Sequence, residues 1–134
     1  MSDLSNEFEN RVATWLFRPA TSVTRPTTLW AALYTAVTDP EAGTGAEVSG
    51  GSYQRAEVTS AFGAPSNGQI VNTASVVFPS PTANWGTITH VGIRDASSGG
   101  NPVTIIKALS TPVVINSGDS PPGFNPGDIA IAIA

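Results

Sequence analysis

The chain has 134 residues, about the length of one ordinary domain, and it contains no cysteine. The lack of cysteine excludes a disulfide framework, a thiolate metal site and a cysteine nucleophile. Only 12% of the residues are charged, and six basic residues are scattered singly through a chain of net charge -4. This pattern excludes the basic footprint of a nucleic-acid-binding protein. So sparse a charge complement suggests that a partner covers part of the surface.

Residues 1–18 are predicted to form an amphipathic helix of about four turns. Its large apolar residues recur at spacings of three and four and therefore line one face: Leu4, Phe8, Val12, Trp15 and Leu16. Ser2 or Asp3 is expected to cap this helix, and Pro19 to end it. Acidic rather than basic residues on the polar face argue against binding to a membrane surface. Phe8, Trp15 and Leu16 are instead predicted to contact a neighbouring chain, or else to close the protein's own sheet.

After the helix the period changes to short β-type runs separated by Gly, Pro, Asn and Asp. The predicted strands cover residues 27–35, 52–60, 74–80, 85–96, 101–110, 111–117 and 128–134. The Pro- and Gly-rich run 116–128 is predicted to be a surface excursion. Seven or eight short strands after one helix predict an all-β fold, an antiparallel sandwich or jelly-roll-like domain. We therefore expect a helix over 1–18 and a single β-sandwich domain over 19–134.

The sequence offers little catalytic chemistry. His90 is the single histidine and lies within a strand pattern, which favours a structural role. The acidic residues of the β region are separated by turns or strands, so neither a metal cluster nor a carboxylate pair is evident. Trp30 and Trp85 could form an aromatic platform for sugar rings, but their strand positions favour packing in the core. We expect no enzymatic activity, no catalytic residues, no bound metal and no cofactor.

The run AEVSGGSYQR (46–55) resembles a phosphate loop only in its glycines, because no Lys-Ser or Lys-Thr follows and no helix begins after it. Gly50 and Gly51 are predicted to supply the positive φ of a turn. Ser49 or Glu47 is expected to accept hydrogen bonds from amides of the loop. Arg55 is expected to pair with Glu57 or with an acid of the loop, as a surface pair.

Three motifs in one order resemble a family of small virion proteins of tailed bacteriophages. They are LYTAVTDPEAGTGAEVSGGSYQR (33–55), FPSPTANWGTITHVGIRDASSGGN (78–101) and NSGDSPPGFNPGDIAIAI (116–133). The resemblance extends over nearly the whole chain and includes the N-terminal helix. Members of this family are tail-fibre-like or look like head cement or decoration proteins. The resemblance implies an all-β virion component without catalysis.

Two structural roles and one enzymatic role compete under this resemblance. A cement protein would bind the major capsid protein and copies of itself as a trimer, on the capsid surface of a virion assembled in the host cytoplasm. A tail-fibre or tail-tip component would bind the host surface, and an enzyme would cleave a surface polysaccharide. The cement role is the primary prediction, with no nucleic acid and no membrane as partners. The predicted interface residues are Phe8, Trp15, Leu16, Glu47, Tyr53 and Arg55.

Overall fold

The computed structural model describes residues 2–133, which form one N-terminal helix followed by antiparallel β structure. The helix, α1, spans Asn6–Phe17. The strands are β1 (Trp30–Asp39), β2 (Thr44–Glu47), β3 (Ala56–Glu57), β4 (Gln69–Val71), β5 (Val76–Val77), β6 (Gly86–Arg94), β7 (Lys107–Ile115), β8 (Gly123–Phe124) and β9 (Ala130–Ala132). The all-β prediction with a single N-terminal helix is confirmed. The division at residues 18 and 19 stays a prediction, and its outer bounds, 1 and 134, lie outside the described residues.

The main sheet has the strand order β2-β1-β6-β7. Strand β3 pairs with β1 at Trp30 and Ala31, on the side of β1 opposite β6. Two short ladders, β4 with β9 and β5 with β8, complete the antiparallel pairs. Their buried residues share one apolar core with the main sheet, so the two ladders together act as the second layer of the sandwich.

The core depends on alternation along the central strands. Ala31 and Leu33 of β1 enter the main core, whereas Ala32 and Tyr34 pack on the opposite face of the sheet with Ile106. The pairing of β6 with β7 is irregular at one point, where the two steps from Ile88 to His90 on β6 lie opposite five steps from Val113 to Ala108 on β7. Pro112 lies within this irregular stretch of β7, which is an edge strand, and proline is tolerated in such a position because it has no N–H to give to the sheet.

Several strand bounds differ from the sequence prediction. Of the predicted strand 52–60, only β3 is observed as a strand. The turn at residues 50–53 occupies the start of the predicted range. The predicted strands 101–110 and 111–117 become one, β7, after an irregular segment at 101–106. Strand β8 lies inside the predicted surface excursion 116–128, and β2 and β4 were not predicted.

Helix α1 begins later than predicted and is shorter. Ser5, fully buried, is its N-cap and accepts a hydrogen bond from the Phe8 amide at 3.3 Å. The prediction that Ser2 or Asp3 caps the helix was wrong. Asp3 lies before the helix, and its carboxylate pairs with Lys107 at 2.8 Å. The helix ends at Phe17, followed by Arg18 at the C-cap.

Candidate functional site: a cleft beside the Glu47–Arg55 pair

The loop between β2 and β3 is shaped by a run of left-handed residues. Gly50 and Gly51 have φ values of 77° and 59°, and Ser52 follows at 63°. The Tyr53 amide donates to the Gly50 carbonyl at 3.0 Å, which closes the turn. The indole N–H of Trp85 donates to the Gly51 carbonyl at 2.9 Å and fixes the turn to the core. The prediction that these glycines serve loop geometry is confirmed.

This turn brings Glu47, Tyr53 and Arg55 into one hydrogen-bonded cluster. Arg55 donates through Nε to Glu47 Oε2 at 2.8 Å and through Nη2 to Glu47 Oε1 at 2.7 Å, a bidentate pair. The Tyr53 hydroxyl donates to Glu47 Oε2 at 2.8 Å and accepts from the Leu33 amide at 3.0 Å. The cluster thus joins the loop to the central strand β1.

The Glu47–Arg55 pair is not the surface pair that was expected. The Arg55 side chain is 6% exposed and that of Glu47 is 25% exposed. Of the two partners predicted for Arg55, the acid on the other side of the glycine turn, Glu47, is the one observed, and Glu57 accepts from the Thr59 hydroxyl. Glu47 binds side chains of the cluster, and the expectation that it accepts from loop amides was wrong.

Electrostatics in the cluster favour the ionised pair. Burial alone would raise the pKa of Glu47, but hydrogen bonds from Arg55 and Tyr53 outweigh it and hold that pKa below its ordinary value. The hydrogen bond to Glu47 raises the pKa of Arg55 further. Burial raises the pKa of Tyr53, and the adjacent Glu47 carboxylate contributes to the same direction. The hydroxyl of Tyr53 therefore stays protonated and donates to Glu47.

Two arginines hold the hairpin loop between β6 and β7. Arg55 Nη1 donates to the carbonyls of Ala96 and Gly99 at 2.8 and 2.9 Å. Arg94 Nε donates to the same Gly99 carbonyl at 3.2 Å and Nη2 to the Gly100 carbonyl at 2.9 Å. At the base of the loop, Asp95 Oδ1 accepts from the Asn101 amide at 2.7 Å. The loop is therefore fixed to the cluster by charged hydrogen bonds.

A cleft of about 570 Å³ lies between the two loops. Its floor is the Glu47–Tyr53–Arg55 cluster, and Trp30 of β1 forms part of its wall. The remaining wall comes from the glycine loop and the hairpin loop, at Val48, Ser49, Gly50, Gln54, Ser97, Ser98 and Gly99. The volume lies within the range of small-molecule sites.

The six predicted interface residues separate into two groups. Glu47, Tyr53 and Arg55 meet at the cleft, and the three residues of α1 do not line it. Trp15 and Leu16 are 67% and 56% exposed, as predicted for a contact surface, but Phe8 is only 8% exposed. The prediction that Phe8 belongs to an exposed stripe was wrong, because backbone hydrogen bonds at Ser5 and Asn6 hold the first helical turn against the domain.

Sequence reasoning missed two parts of these surfaces. Trp30 was expected in the core, yet it is only partly buried and lines the cleft, whereas Trp85 is buried as expected. The register pairs Trp30 with Arg94, immediately before the hairpin loop, and no sequence signal reports that pairing. Phe17 is 80% exposed at the end of α1. Its position in the sequence next to Trp15 and Leu16 could have indicated that it belongs to the same exposed surface.

Neither a metal centre nor a membrane span is found in the described part of the chain. Residues 2–133 contain no group of three or more His, Asp or Glu side chains arranged to hold a metal ion. In the same residues, no helix has both the length and the apolar character that crossing a bilayer requires.

Comparison with known proteins places this all-β domain in a class. Residues 3–132 match the family model described as Podophage GP4 fiber I protein gp80. A match over nearly the full chain defines a structural virion protein of tailed phages, of tail-fibre-like type, as the resemblance of the three motifs implied. The chain belongs to the podophage GP4 fiber I protein gp80 family. No curated protein matches the sequence.

Proposed function

We propose that this protein is a non-enzymatic subunit of a podophage virion fibre, held in the particle by the exposed end of α1. The family description supports a fibre component. The observation that carries the mode of assembly is a patch of three consecutive large apolar side chains, Trp15, Leu16 and Phe17, hereafter the α1 patch. These side chains are 67%, 56% and 80% exposed.

The α1 patch lies at the projecting end of a helix whose other end is firmly attached. The Ser5 amide donates to the Val103 carbonyl and the Asn6 amide to the Glu41 carbonyl, both at 3.1 Å. Arg11 Nη1 reaches the Thr24 carbonyl at 3.2 Å. A helix anchored in this way presents its last turn to a neighbour without needing that turn for its own fold.

The α1 patch would contribute a large apolar area to a contact with a neighbouring chain. Three consecutive helical residues point in directions about 100° apart, so they cover more than half of the circumference of the last turn. Burying the exposed parts of two aromatics and a leucine would stabilise a contact by several kcal/mol, at about 25 cal/mol per Å². The occupant we propose is a second copy of this chain, within a closed oligomer, because closed symmetric self-association is the usual arrangement of repeated subunits.

The head-cement role is a second candidate, and the sparse charge of the chain is the observation that favours it. With 12% charged residues, the surface suits permanent contact over a wide area, as at obligate interfaces. In that role the α1 patch would dock on the major capsid protein. The fibre role is preferred because the family description itself names a fibre.

A double variant, Trp15→Ser with Phe17→Ser, tests the role of the α1 patch. Both side chains are exposed, so the isolated domain should keep its fold by circular dichroism. We expect sedimentation to show loss of the oligomer, and complemented phage particles to lack the protein. The matched control is Val77→Ser, since Val77 is 61% exposed on β5, away from the helix. A double variant that assembles and enters particles like the control would refute the proposed anchor.

The non-enzymatic part of the proposal is tested on polysaccharide. The purified protein, incubated with polysaccharide from the host envelope, should release no reducing ends. The Glu47→Gln variant is the control, because Glu47 is the carboxylate of the cleft. Release of reducing ends by the wild type and not by this variant would show that the protein is a hydrolase.

A further inference from the structure

We propose that the cleft between the glycine loop and the hairpin loop binds a short neutral saccharide. This extends the proposed fibre function, on which its use in the virion rests, although binding itself can be measured on the isolated chain. The cleft measures about 570 Å³, is open to solvent and combines an aromatic wall with polar groups. This combination is typical of sites that hold small polar molecules with apolar faces.

The charges of the cleft favour a neutral ligand over an ionic one. Glu47 and Arg55 are the charged side chains that line it, and each neutralises the other in a bidentate pair. The remaining Nη1 donors of Arg55 are taken by two backbone carbonyls of the hairpin loop. Neither a phosphate nor a carboxylate would find a free cation here, and a cation would find no free carboxylate. The ligand class is therefore neutral.

Trp30 supplies the apolar surface that such a ligand needs. Its indole N–H donates to the Thr28 hydroxyl at 3.0 Å, which fixes the ring. The polar edge of the indole is therefore occupied, and what remains for a ligand is the ring itself. A pyranose ring has an apolar face of C–H groups that packs on an aromatic ring, and its hydroxyls are left free for hydrogen bonds.

Free hydrogen-bonding groups surround the Trp30 wall. Ser49, Gln54 and Ser98 line the cleft with exposed side chains. None of the three side chains makes a hydrogen bond to another group within residues 2–133. Hydroxyl and amide groups of this kind both donate and accept, which matches the sugar hydroxyl.

Hydrogen bonds hold both loops of the cleft in place. The glycine turn is fixed to Trp85, and the hairpin loop is held by Arg55 and Arg94. A site whose walls are already ordered loses little conformational entropy when a ligand binds. The Glu47–Arg55 pair thus acts as a positioning element for the walls and does not itself need to contact the sugar.

The test begins with the full-length wild-type chain on an array of neutral and anionic oligosaccharides. The strongest neutral binder is then titrated into ¹⁵N-labelled protein and followed by amide NMR. We expect shifts at Gly50, Gln54 and Ser98, with anionic glycans binding more weakly. An array without a neutral binder, or shifts located away from the cleft, would overturn the proposal, and preferential binding of anionic glycans or of peptides would do the same.

Variants identify the groups that make the contact. Trp30→Ala should lower the affinity about tenfold, as expected for removal of a central aromatic contact. Gln54→Ala, at an exposed position, should weaken binding while keeping the fold, and it carries the test if Trp30→Ala does not fold. Trp15→Ala, in the α1 patch, is the matched control and should bind like the wild type. Unchanged affinity in both cleft variants would contradict the site.

The two proposals fail independently. A cleft variant that enters particles normally but no longer binds the sugar separates the saccharide site from assembly. A variant of the α1 patch that binds the sugar yet is missing from particles separates them in the other direction.

Discussion

Replacing Arg55 with methionine should destabilise the domain by about 3 kcal/mol. The substitution keeps an apolar stem but removes four hydrogen bonds, two to Glu47 and two to carbonyls of the hairpin loop. It also leaves the Glu47 carboxylate without its counter-ion. Breaking one side of a buried ion pair costs about 3–5 kcal/mol, and we take the lower end because Glu47 is 25% exposed and water can reach it.

Urea unfolding of purified variants measures this loss. With slopes of about 1–3 kcal/mol per M, the Arg55→Met midpoint should fall by about 1 M or more. Arg11→Met is the matched control, because Arg11 pairs with Glu7 through side chains that are 26% and 47% exposed. We expect the control to lose about 1 kcal/mol or less, including its contact with the Phe8 ring.

A double-mutant cycle then isolates the pair. Adding Glu47→Gln to Arg55→Met removes the uncompensated charge, so the double variant should be less destabilised than the sum of the two single variants, by about 1–3 kcal/mol. Additive effects, or an Arg55→Met variant as stable as the Arg11→Met control, would show that this pair does not connect the two loops.

Three further predictions concern the loops and the helix. Gly51→Ala should be clearly more destabilising than Gly50→Ala. Both glycines have positive φ, but a Cβ at Gly51 would lie 2.9 Å from Trp85 Nε1, whereas a Cβ at Gly50 would meet nothing within 4 Å. Equal thermal midpoints of the two variants would contradict this prediction. The pKa of Glu47 is lower in the folded than in the unfolded chain, so its stabilisation is present above the unfolded pKa and is lost as the pH falls through the folded value. The wild type should therefore lose stability more steeply than Glu47→Gln between about pH 5 and pH 3, and parallel curves would exclude the effect. Ser5→Ala should cost about 1–2 kcal/mol in urea unfolding, because the buried Ser5 hydroxyl caps α1, and a loss below 0.5 kcal/mol would argue against that cap.

The elements that sequence reasoning found are those with a strong local period. Strand β6 and the last strand, β9, showed alternating or apolar runs long enough to be recognised, and α1 showed its helical spacing. Strands β4 and β8 have three and two residues, and their existence depends on partners far along the chain. Such short strands have no periodicity of their own, so only the fold defines them.

The candidate site was predictable in its residues but not in its geometry. Glu47 ends β2 and Tyr53 and Arg55 follow in the loop to β3, and the Gly50–Gly51 turn was readable from its glycines. Which acid pairs with Arg55 depends on the direction in which that turn returns the chain, and the local spacing equally allowed Glu57. The role of Trp30 depends on the register between β1 and β6, a long-range feature that periodicity does not report.

The position of the protein on intact particles distinguishes a fibre component from a capsid cement protein. Purified virions labelled with a gold-conjugated antibody against this chain would be imaged by electron microscopy, with particles lacking the gene as the control. We expect gold at discrete fibres that project from the particle. Gold spread evenly over the head shell would contradict the fibre role and support the capsid cement role, and particles without label would contradict both.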